Sequence, residues 1–257
     1  MTHVSLLSRY ADRLGLSDSA PELHRRAQGS CAQIVELLDE ILVAHTHSIC
    51  FENLDVVAFR AKGDLEAVAI DVDGAAGKLL TDGRGGYCHE HASLIRGVVT
   101  ELGLRAHPIL ARVHLGDGQT APGALTHQAT IVDLDGRRLL IDPGFGGGTP
   151  EAALELSESA AARMTSHGEH RIVPARTALT PHLRADSDWC SNHEREMNRT
   201  FAPSMRSAKS LARRPISTWR TGSPRLNPGR GSPVRPFSLC RSLTAAGSLW
   251  RGADCGA

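Results

Sequence analysis

The chain has 257 residues, 41% of them hydrophobic, and a formal net charge of +1 from 29 Lys and Arg against 28 Asp and Glu. That length accommodates one large domain or two smaller ones, and a whole-chain charge near zero predicts neither nucleic-acid nor membrane binding. No apolar run reaches the ~18 residues of a spanning helix, and His3, Arg9, Asp12 and Arg13 break up the N-terminus where a secretory signal would lie, so a cytoplasmic location is expected.

In chain order, Leu6, Leu7, Tyr10, Leu14 and Leu16 predict a short helix, and Ile34, Leu37, Leu38, Ile41 and Leu42 a second one. Residues 51–81 read as mixed, with extended stretches expected around Val56, Val57 and Phe59 and around Val68, Ile70 and Val72. The run Arg84-Gly85-Gly86-Tyr87-Cys88-His89-Glu90-His91 then delivers a cysteine to the first turn of a helix. That helix carries Ala92, Leu94, Ile95, Val98, Val99 and Leu102 at three- and four-residue spacings and stops at Gly103. Its positive end and unpaired N–H groups favour a thiolate at Cys88, the form that attacks a carbonyl. The competing reading is a small buried hydrophobe near a turn. Glu90 reads as a first-turn residue favoured by the helix dipole, or as a partner for an Arg. His89, Glu90 and His91 point in different directions on a helix, so no metal site is expected. No Gly-Lys-Ser/Thr follows Arg84-Gly85-Gly86, which excludes a phosphate-binding loop of the P-loop type.

Strand signals follow. His107, Ile109, Ala111, Val113 and Leu115 alternate, residues 116–123 form a Gly/Pro loop, and Thr126 to Leu134 alternates again before an Asp135-Gly136 turn and a return strand to Asp142. Pairing Leu134 with Arg137 sets Asp133 opposite Arg138, Ile131 opposite Leu140 and Ala129 opposite Asp142. His127 then shares a face with Asp142 as its diagonal neighbour, at roughly 7–8 Å between backbones. An Asp that accepts from one imidazole nitrogen leaves the other free to take a thiol proton, the logic of a nucleophile–base–orienter triad. Phe145, between Gly144 and Gly146 just past Asp142, suits a gate near the thiol. Cys31, Cys50, Cys88, Cys190, Cys240 and Cys255 show no regular spacing, which argues against a disulfide scaffold or a zinc ribbon.

Over roughly residues 5–175 these motifs resemble the arylamine N-acetyltransferases. The likeness rests on Phe51-Glu52-Asn53-Leu54, on Arg84 to Glu90 with His89 where an aromatic is usual, on Thr126-His127, and on Asp142-Pro143-Gly144-Phe145-Gly146. The resemblance implies ping-pong acetyl transfer from acetyl coenzyme A to an arylamine or arylhydrazine nitrogen. It implies Cys88, His127 and Asp142 as the catalytic residues, Phe51 and Phe145 against the amine, and Thr126, Phe145 and Gly146 against coenzyme A. The expected fold is α+β: a helical lobe (1–103) with the nucleophile, then an antiparallel β-barrel or sheet lobe (104–175) with the base, meeting at a cysteine-proteinase-like triad. No metal, nucleic acid or membrane partner is expected, and no oligomeric state follows. A cysteine hydrolase of transglutaminase or papain type, and an inactive remnant of the transferase, are the alternatives.

Residues 176–257 change character. From Cys190 onward there are eleven Arg and one Lys against Glu194, Glu196 and Asp254, with little apolar periodicity. Such a composition resists packing into a core. A basic tail that contacts nucleic acid or acidic lipid, a divergent third domain, and an out-of-frame reading of GC-rich coding DNA all fit it, the last being favoured. This third is expected to be disordered or non-native, which puts coenzyme A binding in doubt.

Overall fold

Ser5 accepts a hydrogen bond from the Ser8 backbone N–H (3.1 Å), and Gly15 ends the first helix in the left-handed region at φ +65°. Between them runs α1 (Leu6–Leu14), followed by α2 (Ala20–Arg26) and α3 (Cys31–Ser48). A reciprocal Ser30/Gln33 box caps α3, which buries Ile34, Leu37, Leu38, Ile41 and Leu42 as their spacing predicts. The computed structural model describes residues 4–63, 68–114, 120–194 and 237–241.

The connection after α3 departs from expectation. Val56, Val57 and Phe59 belong to α4 (Leu54–Lys62), and Val72 opens α5 (Val72–Ala76). Neither stretch forms a strand, although residues 68–71 stay outside the helices. Asp71 fixes the start of α5 by accepting from the Gly74 N–H (2.9 Å), and Gly63, at φ +75°, closes α4. These terminal signals outweigh the β-branched content. A π-turn, Gly77–Thr81, continues α5, and α6 (Cys88–Glu101) follows the Gly-rich segment.

Among the described residues eight strands form one sheet: β1 (Arg105–His114), β2 (Leu125–Leu134), β3 (Arg137–Ile141), β4 (Leu154–Glu155), β5 (Arg163–Thr165), β6 (Gly168–Pro174), β7 (Trp189–Glu194) and β8 (Phe237–Arg241). Their order is β4-β3-β2-β1-β8-β7-β6-β5, so the sheet is open and the barrel alternative does not form. It is also mixed, because β8 runs parallel to both β1 and β7. The expected hairpin register is present: Leu134 faces Arg137, Asp133 faces Arg138 and Ile131 faces Leu140. Asp135 (φ 47°) and Gly136 (φ 79°) make its two-residue turn.

The hairpin's alternation sorts its side chains between two apolar clusters. Val132, Leu134, Leu139 and Ile141 join the helical core, whereas Ala129, Ile131 and Leu140 join a smaller cluster with Ile109, Ala111 and Ile172. His127 and Asp142 continue the second pair of rows. At the start of the C-terminal third, α7 (Ala175–Ala178) packs on β6 and β7, α8 (Pro181–Arg184) follows it, and β7 pairs with β6, with Cys190 and Ser191 buried. The rest of the tail expectation, for 195–236 and 242–257, lies outside the described residues. Cys31, Cys50 and Cys88 are reduced, outside any disulfide, and Cys190 is disulfide-bonded.

A polar chain crosses the helical core. Tyr10 Oη lies 2.8 Å from His45 Nδ1, His45 Nε2 lies 2.7 Å from His91 Nδ1, and all three side chains are fully buried. Burial lowers His45 well below its ordinary value and holds His91 at about 4, so both imidazoles are neutral in the fold. In the unfolded chain they protonate below about 6.5. Their stabilisation is therefore complete above that pH and is lost as the pH falls through their lowered values, about 4 for His91. For His91 alone the loss between pH 7 and pH 5 is on the order of 2 kcal/mol. Urea denaturation at those two pH values should show a larger loss for the wild-type chain than for His91→Gln; equal losses would contradict the assignment.

Candidate active site

Cys88 occupies the first position of α6 because the preceding turn is clasped to the end of α3. Glu52 donates its backbone N–H to Gly86 O (2.8 Å), and Gly86 donates its own to Cys50 O (3.1 Å). The chains approach so closely that a Cβ at Gly85 would lie 2.3 Å from Cys50 O. Only glycine fits there. Glu90, 2% exposed, accepts from the Tyr87 N–H (2.9 Å) and so caps α6 from within its own first turn.

The charge on Glu90 is balanced by Lys78, not by an Arg as one of the sequence readings had it. Lys78 Nζ, placed by the π-turn, lies 2.9 Å from Glu90 Oε1, 2.9 Å from Asp55 Oδ2 and 3.2 Å from Glu52 Oε1. Arg84 adds contacts to Glu52 (3.0 Å) and Asp55 (2.9 Å). Partial burial opposes the ammonium, but the surrounding carboxylates dominate and raise the Lys78 pKa. Glu90 therefore holds a helix end and an ion pair.

The sheet brings the second half of the site. Cys88 Sγ lies 3.8 Å from the carbonyl of Thr126, the residue before His127. His127 Nε2 is 2.8 Å from Asp142 Oδ2, with the two side chains 5% and 1% exposed. With Nε2 engaged by Asp142, Nδ1 is the nitrogen left to interact with Cys88. Burial opposes a charged imidazole, but the Asp142 carboxylate, its hydrogen bond and the interaction with Cys88 overcome that cost and raise His127 to about 10. A buried cysteine beside an imidazole held charged by a carboxylate can supply a nucleophile and move a proton.

The loop past Asp142 packs directly onto the cysteine helix. A Cβ on Gly144 would lie 2.8 Å from His91 Cβ and 3.0 Å from Cys88 Cα. Phe145 meets His127 edge-on at 5.4 Å between ring centres, and Gly146 lies against the Phe51 ring. Phe51 is 47% exposed and stacks on His91, so it is a surface aromatic beside the site and not core. Thr126 is solvent-exposed on the same strand. Cys88, His127, Asp142, Phe51, Phe145, Gly146 and Thr126 are therefore brought to one place. His89 reaches the same strand, with Nδ1 2.9 Å from Gln128 Oε1. Among the described residues no cluster of three His, Cys, Asp or Glu side chains could hold a metal. Sequence reasoning missed a role for Lys78, His45, Tyr10 and the close packing of Gly144; Tyr10 was read as a core position of the first helix, and the helical spacing of His45 on α3 was the one other signal.

Fold and site together define a class: a helix-borne, buried cysteine set against a histidine–carboxylate pair on an open sheet. The N-acetyltransferase family profile matches residues 34–247, and the chain belongs to that family. The arylamine N-acetyltransferase / N-hydroxyarylamine O-acetyltransferase of Salmonella typhimurium is 33% identical over 157 residues, covering 61% of this chain and 53% of that protein. The arylamine N-acetyltransferase of Mycolicibacterium smegmatis is 37% identical over 155 residues, 59% of this chain and 54% of that one. The chain thus spans about half the length of the curated relatives it matches. Among solved structures, the Salmonella typhimurium arylamine N-acetyltransferase superposes with a TM-score of 0.56 at 28% identity, covering 76% of this chain and 60% of the other. The Mycobacterium marinum arylamine N-acetyltransferase in complex with CoA gives 0.53 at 31%, covering 65% and 56%.

Replacing Asp142 by Asn removes the charge that holds His127 protonated. The imidazole of the wild-type chain should remain charged at pH 8 in nitrogen-15 NMR spectra, whereas Asp142→Asn should bring its titration down below neutrality. The stabilisation tied to that charge is present below pH 6.5 and lost toward pH 10. An unchanged His127 titration in Asp142→Asn would contradict this electrostatic assignment.

Proposed function

We propose that the chain transfers an acetyl group from acetyl coenzyme A to the nitrogen of an arylamine or arylhydrazine, through an acetyl-Cys88 intermediate in a ping-pong cycle. The observation that carries this reading is the buried 2.8 Å pairing of His127 with Asp142 behind a cysteine at a helix N-terminus, in a chain of the N-acetyltransferase family. The division into a helical lobe (1–103), a sheet lobe (104–175) and a C-terminal third belongs to the same proposal.

In the first half-reaction the Cys88 thiolate attacks the thioester carbonyl. The backbone N–H groups of Cys88 and His89, which precede the first bonded N–H of α6, face the developing oxyanion. The tetrahedral adduct collapses, the C–S bond to coenzyme A breaks, and the His127 imidazolium gives its proton to the departing thiolate. In the second, a weakly basic aromatic amine enters beside Phe51 and Phe145 and attacks the acetyl carbon. His127 accepts the amine proton, the Cys88–acetyl bond breaks, and the N-acetyl product leaves the thiolate–imidazolium pair restored. Asp142 keeps Nε2 of the imidazole hydrogen-bonded, so Nδ1 performs both proton transfers. Contact of Thr126, Phe145 and Gly146 with coenzyme A is part of the proposal; the Mycobacterium marinum relative is a complex with CoA, which supports coenzyme A as the acetyl carrier.

Initial-rate kinetics against acetyl coenzyme A and an arylhydrazine should give parallel double-reciprocal lines. Cys88→Ser and His127→Ala should each lower kcat/KM by at least about a thousandfold. Release of acetate at a rate independent of the amine would identify a hydrolase instead, and intersecting lines would contradict the acetyl-enzyme.

A further inference from the structure

We propose that His91 is a positioning residue for the Cys88 site, held in one tautomer by a one-way hydrogen-bond chain that starts at Tyr10. This rests on the reading of Cys88 as the nucleophile.

The direction of the chain is fixed at its far end. His91 Nε2 lies 3.0 Å from Gly86 O, and a carbonyl can only accept, so Nε2 carries the proton. His91 Nδ1 is then a lone pair and must receive a hydrogen bond. His45 Nε2, 2.7 Å away, donates it, which leaves His45 Nδ1 as the acceptor for the Tyr10 hydroxyl at 2.8 Å. Each ring therefore has one donor and one acceptor, both used. Because all three side chains are fully buried, no solvent replaces a lost partner, and reversing any link leaves facing lone pairs or facing protons.

The end of the chain is where the site is set. Gly86 O accepts both from His91 and from the Glu52 N–H, so both of its lone pairs are engaged two residues before Cys88. The same imidazole stacks on Phe51 at 6.3 Å between ring centres, and its Cβ packs beside Gly144, two residues past Asp142. One side chain thus touches the turn before the nucleophile, the loop after the carboxylate and an aromatic at the mouth. With the opposite tautomer a lone pair on Nε2 would face the Gly86 carbonyl and push the nucleophile turn outward. Tyr10, on α1, acts on the site only through this sequence of bonds.

The test uses nitrogen-15 imidazole spectra and the rate of Cys88 alkylation by iodoacetamide, followed on the Gly85–Arg96 tryptic peptide because Cys31 and Cys50 are also reduced. Neither readout needs acetyl coenzyme A, so absent acetyl transfer would count against the proposed function and leave this inference standing. In the wild-type protein His91 should show a protonated Nε2 and an unprotonated Nδ1. Tyr10→Phe should convert His91 to a mixture of tautomers. His91→Leu should slow alkylation about tenfold, while His91→Gln, whose amide can still donate to Gly86 O, should stay within about twofold. Thermal melting confirms that each variant is folded; if His91→Leu is not, the Tyr10→Phe spectrum decides. A protonated Nδ1 in the wild-type spectrum, a folded His91→Leu variant alkylated at the wild-type rate, or an unaltered His91 spectrum in Tyr10→Phe would overturn the proposal.

Discussion

The close approach of two backbone segments, Gly85–Gly86 against Cys50–Glu52, is the constraint from which the site is built. A hydrogen bond in each direction joins them, and there is no room for a side chain at Gly85. Such an approach costs conformational entropy, because two adjacent glycines must be fixed in one conformation. It is offset by what it immobilises: the start of α6, and with it Cys88. The surrounding charges serve the same end. Glu90 caps the helix while Lys78 and Arg84 tie it to Glu52 and Asp55, so one ionic network spans the turn, the helix and the start of α4. At about one-tenth exposure, Lys78 would be costly to bury without those carboxylates.

The sheet meets this fixed cysteine through a hairpin whose two faces do different work. Even-numbered β2 positions and odd-numbered β3 positions enter the helical core, which locks the hairpin onto α6. The opposite rows end in His127 and Asp142. A one-residue slip in register would move both out of reach, and burial on both faces of the hairpin specifies the register strongly. The position of the imidazole thus follows from core packing. Its charge follows from Asp142, whose carboxylate outweighs desolvation. Two populations of buried histidine coexist within a short distance as a result: His127 is held charged by a carboxylate, while burial, the largest influence on His45 and His91, holds those two neutral.

Much of this was legible in the sequence because it is carried by short-range signals. The Asp135-Gly136 turn fixed the hairpin register, and the spacing from Ala92 to Leu102 fixed α6. The stretches around Val57 and Val72 were misjudged because β-branched residues suggest strands, whereas their caps at Asp71 and Gly63 decide for helix. The open, mixed sheet was not legible at all. Its order depends on β8 pairing in parallel with β1 and β7 across a long sequence separation, which no local pattern encodes. For the same reason Lys78 and the Tyr10–His45–His91 chain went unnoticed: each residue alone reads as an ordinary helix position. Only the packing of α1, α3 and α6 brings them together.

The central claim is that Cys88, made nucleophilic by His127 and Asp142, takes up an acetyl group as a thioester. The most direct measurement is the mass of the Gly85–Arg96 tryptic peptide after brief exposure of the full chain to acetyl coenzyme A and acid quenching. The account predicts one added acetyl group on Cys88, removed by hydroxylamine or an arylamine and absent in Asp142→Ala. A folded protein whose Cys88 peptide gains no acetyl group at any concentration of acetyl coenzyme A would contradict it.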